Sequence, residues 1–168
     1  MQLTRYLKED YIRLHLDEDL VLEGEDGAPL SRRQREELKL EVLRRLVERL
    51  DRSGKVNNPN KLLNDLFHRE KRHHMYLGQG VALPHVRTMQ ARGLAMAIGV
   101  ADRPIPWGDE PGQEADLFLA IVAPPYEDKT YLQVYKRIGE LFARHDAAAE
   151  LRRARSPGEI IRYLNAVT

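Results

Sequence analysis

Seven consecutive residues, Leu117-Phe118-Leu119-Ala120-Ile121-Val122-Ala123, carry no polar side chain, and the run lies between Asp116 and Pro124-Pro125. A half-buried strand alternates apolar with polar residues, and a surface helix keeps a polar side. An unbroken short apolar run between turn residues fits a strand covered on both faces. A strand of that kind requires helices above and below it, which predicts an α/β chain. A second segment agrees. Leu94, Met96, Ile98 and Val100 alternate with Ala95, Ala97 and Gly99, so one face of the strand is bulky and the other lets a helix approach closely.

The helices can be read from their ends. Ser31-Arg32-Arg33-Gln34 has capping-box form, and Leu38, Val42, Leu43, Leu46, Val47 and Leu50 follow at helical spacing until Ser53-Gly54. Asn58-Pro59 opens a second helix expected to reach about Arg69. A third stripe, Val134, Tyr135, Ile138, Leu141 and Phe142, predicts a helix from about Asp128 to Ala143. Ser156-Pro157-Gly158-Glu159 starts a last one as a second capping box. Near the beginning, Ile12 to Leu16 alternates like a half-buried strand with His15 outward. The turn-rich segment Gly24 to Pro29 is a connector. With neither repeats nor regular strand-helix alternation, residues 1–168 are expected to form a single domain, a sheet covered by helices.

Composition removes several functions. Lys and Arg total 27 against 26 Asp and Glu, which leaves no positive surplus for a phosphate backbone, so nucleic acid is not an expected partner. No apolar run approaches the roughly 20 residues a spanning helix needs, and the N-terminal residues do not resemble a signal peptide. Membrane insertion is not expected, and a cytoplasmic location is. The absence of cysteine removes disulfides, thiolate catalysis and thiolate metal sites.

Histidine is then the main titrating chemistry near neutral pH, and His68, His73, His74 and His85 fall within 18 residues. They lack the H-E-x-x-H spacing of a zinc helix, and adjacent His73 and His74 point to opposite faces if extended. No metal site is expected, and His68, His73 and His74 read as surface residues. His85 differs because Pro84 should end the preceding strand and leave the imidazole at the sheet's rim, where α/β folds commonly bind ligands. Position alone leaves open a histidine that only hydrogen-bonds its own loop. Gly78-Gln79-Gly80 matches neither a dinucleotide nor a nucleoside-triphosphate loop and is expected to allow a tight turn and leave room near His85. Arg69-Glu70 on its own reads equally well as a solvated pair at a helix end.

Taken together, Arg69-Glu70 and Gly78-Gln79-Gly80-Val81-Ala82-Leu83-Pro84-His85 resemble the Arg-Glu, Gly-x-Gly-(Ile/Val)-Ala-(Ile/Leu)-Pro-His pattern of fructose/mannitol-type IIA components of the bacterial phosphoenolpyruvate-dependent phosphotransferase system. The resemblance continues through Pro104-Ile105-Pro106-Trp107 and the apolar strand to the C-terminal helices, leaving out the connector from Leu20 to Leu30. It implies a mixed central β-sheet flanked by helices. It also implies phosphoryl transfer from a histidine phosphocarrier protein to His85, with Arg69 on the phosphate side and Glu70, Gly78, Gly80 and Tyr131 as neighbours. A IIB-type component or a regulatory target would receive the signal, without metal or organic cofactor. Two positions depart from the family pattern: His74-Met75 replaces the usual Ser-Thr, and Tyr131 stands where a second histidine is common. The alternative is an interaction module that kept the fold and lost efficient transfer.

Overall fold

The computed structural model describes residues 1–110, 112–144 and 146–168. Six strands form one mixed sheet: β1 (Ile12–Leu14), β2 (Tyr76–Gly78), β3 (Val81–Ala82), β4 (His85–Arg87), β5 (Ala95–Pro106) and β6 (Glu114–Ala123). Among the described residues five α-helices accompany it: α1 (Arg32–Asp51), α2 (Pro59–Arg72), α3 (Asp128–Ala143), α4 (Ala147–Arg153) and α5 (Pro157–Val167).

The two long strands run antiparallel at the centre. β1 joins β5 in parallel, and β3 and β4 both join β6 in parallel, with β2 antiparallel on β3. Strand β6 is buried from Leu117 to Ala123, as an apolar run of that kind requires. On the bulky face Met96, Ile98, Leu119 and Ile121 share a core with Val134, Ile138, Leu151 and Ile160 of α3, α4 and α5. On the small face Ala95, Ala97 and Ala120 meet Val42, Leu46, Leu62 and Leu66 of α1 and α2.

The caps explain where the helices start. Ser31 Oγ accepts from Gln34 N at 3.1 Å while Ser31 N donates to Gln34 Oε1 at 2.8 Å. Asn58 Oδ1 accepts from Lys61 N, with Pro59 in the first turn. Helix α2 runs past Arg69 to Arg72, because its apolar stripe ends before its backbone ladder does and the basic last turn suits the C-terminal dipole. At α5 only half of the expected capping box forms: Ser156 Oγ accepts from Glu159 N, but Glu159 Oε2 accepts from Arg155 N instead of Ser156 N. Helix α4 was not legible in the sequence, its seven residues being too few to show a period.

The close approach of α1 depends on Gly99. A Cβ there would lie 2.7 Å from Leu16 Cδ2 and 3.0 Å from Leu46 Cδ2, both on fully buried side chains. Gly99→Ala is therefore expected to destabilise the fold by about 1–3 kcal/mol through overpacking, measured by urea denaturation. An unchanged midpoint would mean that the α1 layer yields freely.

Candidate functional site

Pro84 does not end the sheet. Its carbonyl accepts from Ile121 N at 3.0 Å, but it has no N–H to give, so one rung is missing and the ladder resumes with His85 opposite Ile121. The broken edge β3-Pro84-β4 thus carries His85 within the sheet. The expectation of an imidazole at an open rim is corrected accordingly, since His85 is only 6% exposed. Two rings of α3 close over it: Tyr131 at 5.9 Å between centroids and Tyr135 edge-on at 5.2 Å. They are one helical turn apart and so share a face.

His85 Nδ1 lies 2.8 Å from the Leu83 carbonyl oxygen, which can only accept. In the neutral ring the proton is therefore on Nδ1, and Nε2 keeps a free lone pair. Burial lowers the His85 pKa below the ordinary 6.5. The Leu83 bond opposes that shift, and the positive charge of Arg69 adds to it. Arg69 sits in the last turns of α2, whose face is held to the end of β4 by Thr88 Oγ1 donating to Asp65 Oδ2 at 2.6 Å. Asp65 precedes Arg69 by four residues, so this bond and the arginine lie on the same side of α2.

Sequence reasoning missed Arg87 and Tyr135. Arg87 follows His85 by two strand positions, the spacing that puts both side chains on one face. Its guanidinium stands 5.6 Å from the Tyr131 ring centroid and pairs with Asp128 in the first turn of α3. Burial pushes the Tyr131 phenol up to about 12, against the pull of Arg87 and Arg69, so it remains a neutral donor at physiological pH. His85, Arg69, Arg87 and Tyr131 thus bring a nucleophilic nitrogen together with two guanidinium groups and a phenol.

The other predicted neighbours lie differently. Glu70 is not a solvated partner of Arg69 and does not contact His85. It is 1% exposed, and its Oε1 accepts from Trp107 Nε1 at 2.7 Å and Met75 N at 3.2 Å. Burial raises its pKa, opposed chiefly by the charge of Lys39. Gly78, Gln79 and Gly80 all have positive φ, so the tight turn expected there is present. The space at Gly80 serves α4 instead of His85: a Cβ would collide with the Arg152 guanidinium and lie 2.8 Å from Asp116 Oδ1. His74 is corrected too, for it is half-buried between Lys39 Nζ at 3.0 Å and Asp109 Oδ2 at 2.8 Å. Among the described residues no group of three or more His, Asp or Glu side chains is arranged to hold a metal ion, and no helix is long and apolar enough to cross a membrane.

A family model described as "Phosphoenolpyruvate-dependent sugar phosphotransferase system, EIIA 2" matches residues 31–167. The chain belongs to this EIIA family. Residues 1–30 lie outside the match, both the connector from Leu20 to Leu30 that the resemblance leaves out and the segment before it. The chain is 28% identical over 127 residues to the 2-O-alpha-mannosyl-D-glycerate-specific EIIABC component of Escherichia coli, covering 74% of this chain and 19% of that protein. It thus spans about a fifth of the length of such multi-component relatives. The fold is that of nitrogen regulatory protein IIA-Ntr from Neisseria meningitidis, with TM-score 0.74, 22% identity and coverage of 96% of this chain and 98% of that one. It is equally that of the Escherichia coli mannitol IIA enzyme, solved in complex with phosphorylated mannitol IIB. That match has TM-score 0.66 and 22% identity and covers 76% of this chain and 88% of the other.

Proposed function

We propose that residues 1–168 act as one IIA-like phosphoryl carrier that accepts phosphoryl from a histidine phosphocarrier protein on His85 Nε2 and passes it to a IIB-type partner or a regulatory target. The observation that carries this reading is the His85 Nδ1–Leu83 carbonyl bond beside Arg69 and Arg87. In the step, the lone pair of Nε2 attacks phosphorus while the nitrogen–phosphorus bond of the donor breaks and its electron pair returns to the donor ring. The proton stays on Nδ1 and is donated to the Leu83 carbonyl, whose oxygen stabilises the positive charge that develops on the His85 ring. Arg69 and Arg87 face the phosphoryl oxygens, and no metal or organic cofactor takes part. The structure of a mannitol IIA with phosphorylated IIB supports the downstream half of the reading.

Incubation with phosphoenolpyruvate and the general phosphotransferase components, followed by mapping of the adduct, tests it. An acid-labile, base-stable phosphoryl group on His85 Nε2 is expected. A folded chain that stays unlabelled while binding the carrier protein would favour the non-catalytic interaction module.

The rate of acceptance should depend on pH in one direction. A protonated imidazole has no lone pair at Nε2, so transfer falls as pH falls. Because burial lowers the His85 pKa, the midpoint should lie below 6.5. A pH–rate profile with its midpoint above 6.5 would contradict the buried neutral acceptor. Tyr131 replaces a cation-forming group with a neutral phenol. Tyr131→Phe should alter transfer by no more than about one hydrogen bond, roughly 0.5–1.5 kcal/mol. Tyr131→His should accelerate it, and quench-flow rates unchanged in that variant would remove Tyr131 from the site.

A further inference from the structure

A second concave site lies on the other side of α2, over the small face of the sheet, between α1, α2 and the β5–β6 hairpin. It is a pocket of about 260 Å³. Its cationic lining comes from Arg32, Arg35, Lys39 and Lys71, against the carboxylates of Glu36 and Asp109. Glu36 is shared between Arg32 at 3.7 Å and Lys71 at 3.8 Å, and Asp109 takes the Nε2 proton of His74. Arg35 is the cation of this lining left without an ion pair among the described residues, and Lys39 stands beside it.

Lys39 is 8% exposed, its Nζ donating to His74 Nδ1 and standing 4.7 Å from the Trp107 ring centroid. Burying an ammonium group in this way is costly unless a charge answers it, and the buried Glu70 carboxylate behind it does so in part, with Asp109 adding to it. Arg35 has a buried Nε without a hydrogen-bond partner, and its guanidinium makes no ion pair among the described residues. Phe67 and Pro106 supply an apolar wall.

We propose that this pocket binds a small organic oxyanion, a carboxylate or phosphate ester with an apolar body, whose charged head takes the Arg35 fork and Lys39 and whose body lies on Phe67 and Pro106. Guanidinium matches the planar geometry of an oxyanion, and a cavity this small admits about one ring or short chain beside the head group. The site is separate from the phosphoryl centre although the two share α2: Arg69 serves His85, whereas Phe67 and Lys71 line the pocket.

Trp107 is the only tryptophan and lies beneath Lys39, so its fluorescence reports on the floor of this pocket. Titration of the full chain at constant ionic strength would use phenyl phosphate and benzoate, which tell phosphate from carboxylate, and inorganic phosphate as the head group without a body. A saturable change with at least one ring-bearing probe at a Kd below about 1 mM is expected, with weaker binding of inorganic phosphate. Arg35→Gln should weaken binding about tenfold or more, as loss of a charge-assisted pair does. Arg137→Gln removes the same charge from the remote α3 surface and should leave it unchanged. His85→Ala should also bind normally. The absence of saturation with both probes, equal affinity in Arg35→Gln, or loss of binding in His85→Ala would each overturn the proposal.

Discussion

His85→Ala is expected to abolish phosphoryl labelling altogether, because the variant removes the one imidazole held with a free Nε2 lone pair beside Arg69 and Arg87. The neighbouring histidines lack this arrangement. His74 Nδ1 faces the Lys39 ammonium and its Nε2 is committed to Asp109, while His73 is exposed at the end of α2, where its backbone N–H donates to Arg69 O. Truncation leaves a gap beneath Tyr131 and Tyr135, so His85→Gln, which fills more of it, should be measured beside His85→Ala together with circular dichroism. Both variants are expected to be folded and unlabelled. Labelling retained on His73 or His74 would sink the assignment of the acceptor.

Arg69→Ala is expected to slow transfer by about 10²–10³-fold, the usual cost of removing one preorganised donor from a developing oxyanion. The same change removes a positive charge that helps lower the His85 pKa, so that pKa should rise toward 6.5 in the variant. This paired readout separates a role at phosphate from general damage to the fold. Arg69→Lys should restore part of the rate, since an ammonium supplies charge without the planar fork. The face of α2 stays docked through Asp65 and Thr88 in each variant, so stability should change little. Unchanged rates in both would make Arg69 an ordinary surface arginine.

Much of this architecture could be read along the chain. The run Leu117 to Ala123 required two covering layers, and both are present. The alternation from Leu94 to Val100 foretold which face α1 approaches, and Gly99 is where that approach is closest. Caps at Ser31 and Asn58 sit where the residues indicated, since such bonds join residues three apart and need nothing distant. The motif that carries the family resemblance was equally local, so His85 and Arg69 stood out as candidates together with the family.

What local pattern could not express was the set of partners that the fold supplies. The two- and three-residue strands β3 and β4 exist because β6, more than thirty residues away, offers them a ladder. Pro84 therefore looked like an end and is a missing rung. Glu70 reads as solvated on a helix wheel and becomes the buried acceptor of Trp107 only when the β5–β6 hairpin closes over it. Arg87 has a legible spacing from His85, but nothing in the sequence says that α3 will bring Tyr131 and Tyr135 against them. The sequence by itself determined the elements, their apolar faces and the motif around His85, because these depend on periods and bonds spanning a few residues. The tertiary structure alone decided which nitrogen of His85 is free, which charges surround it, and that Lys39 and Arg35 share a second pocket. Hydrogen-bond partners and burial belong to the packing of distant segments, and no window on the chain contains them.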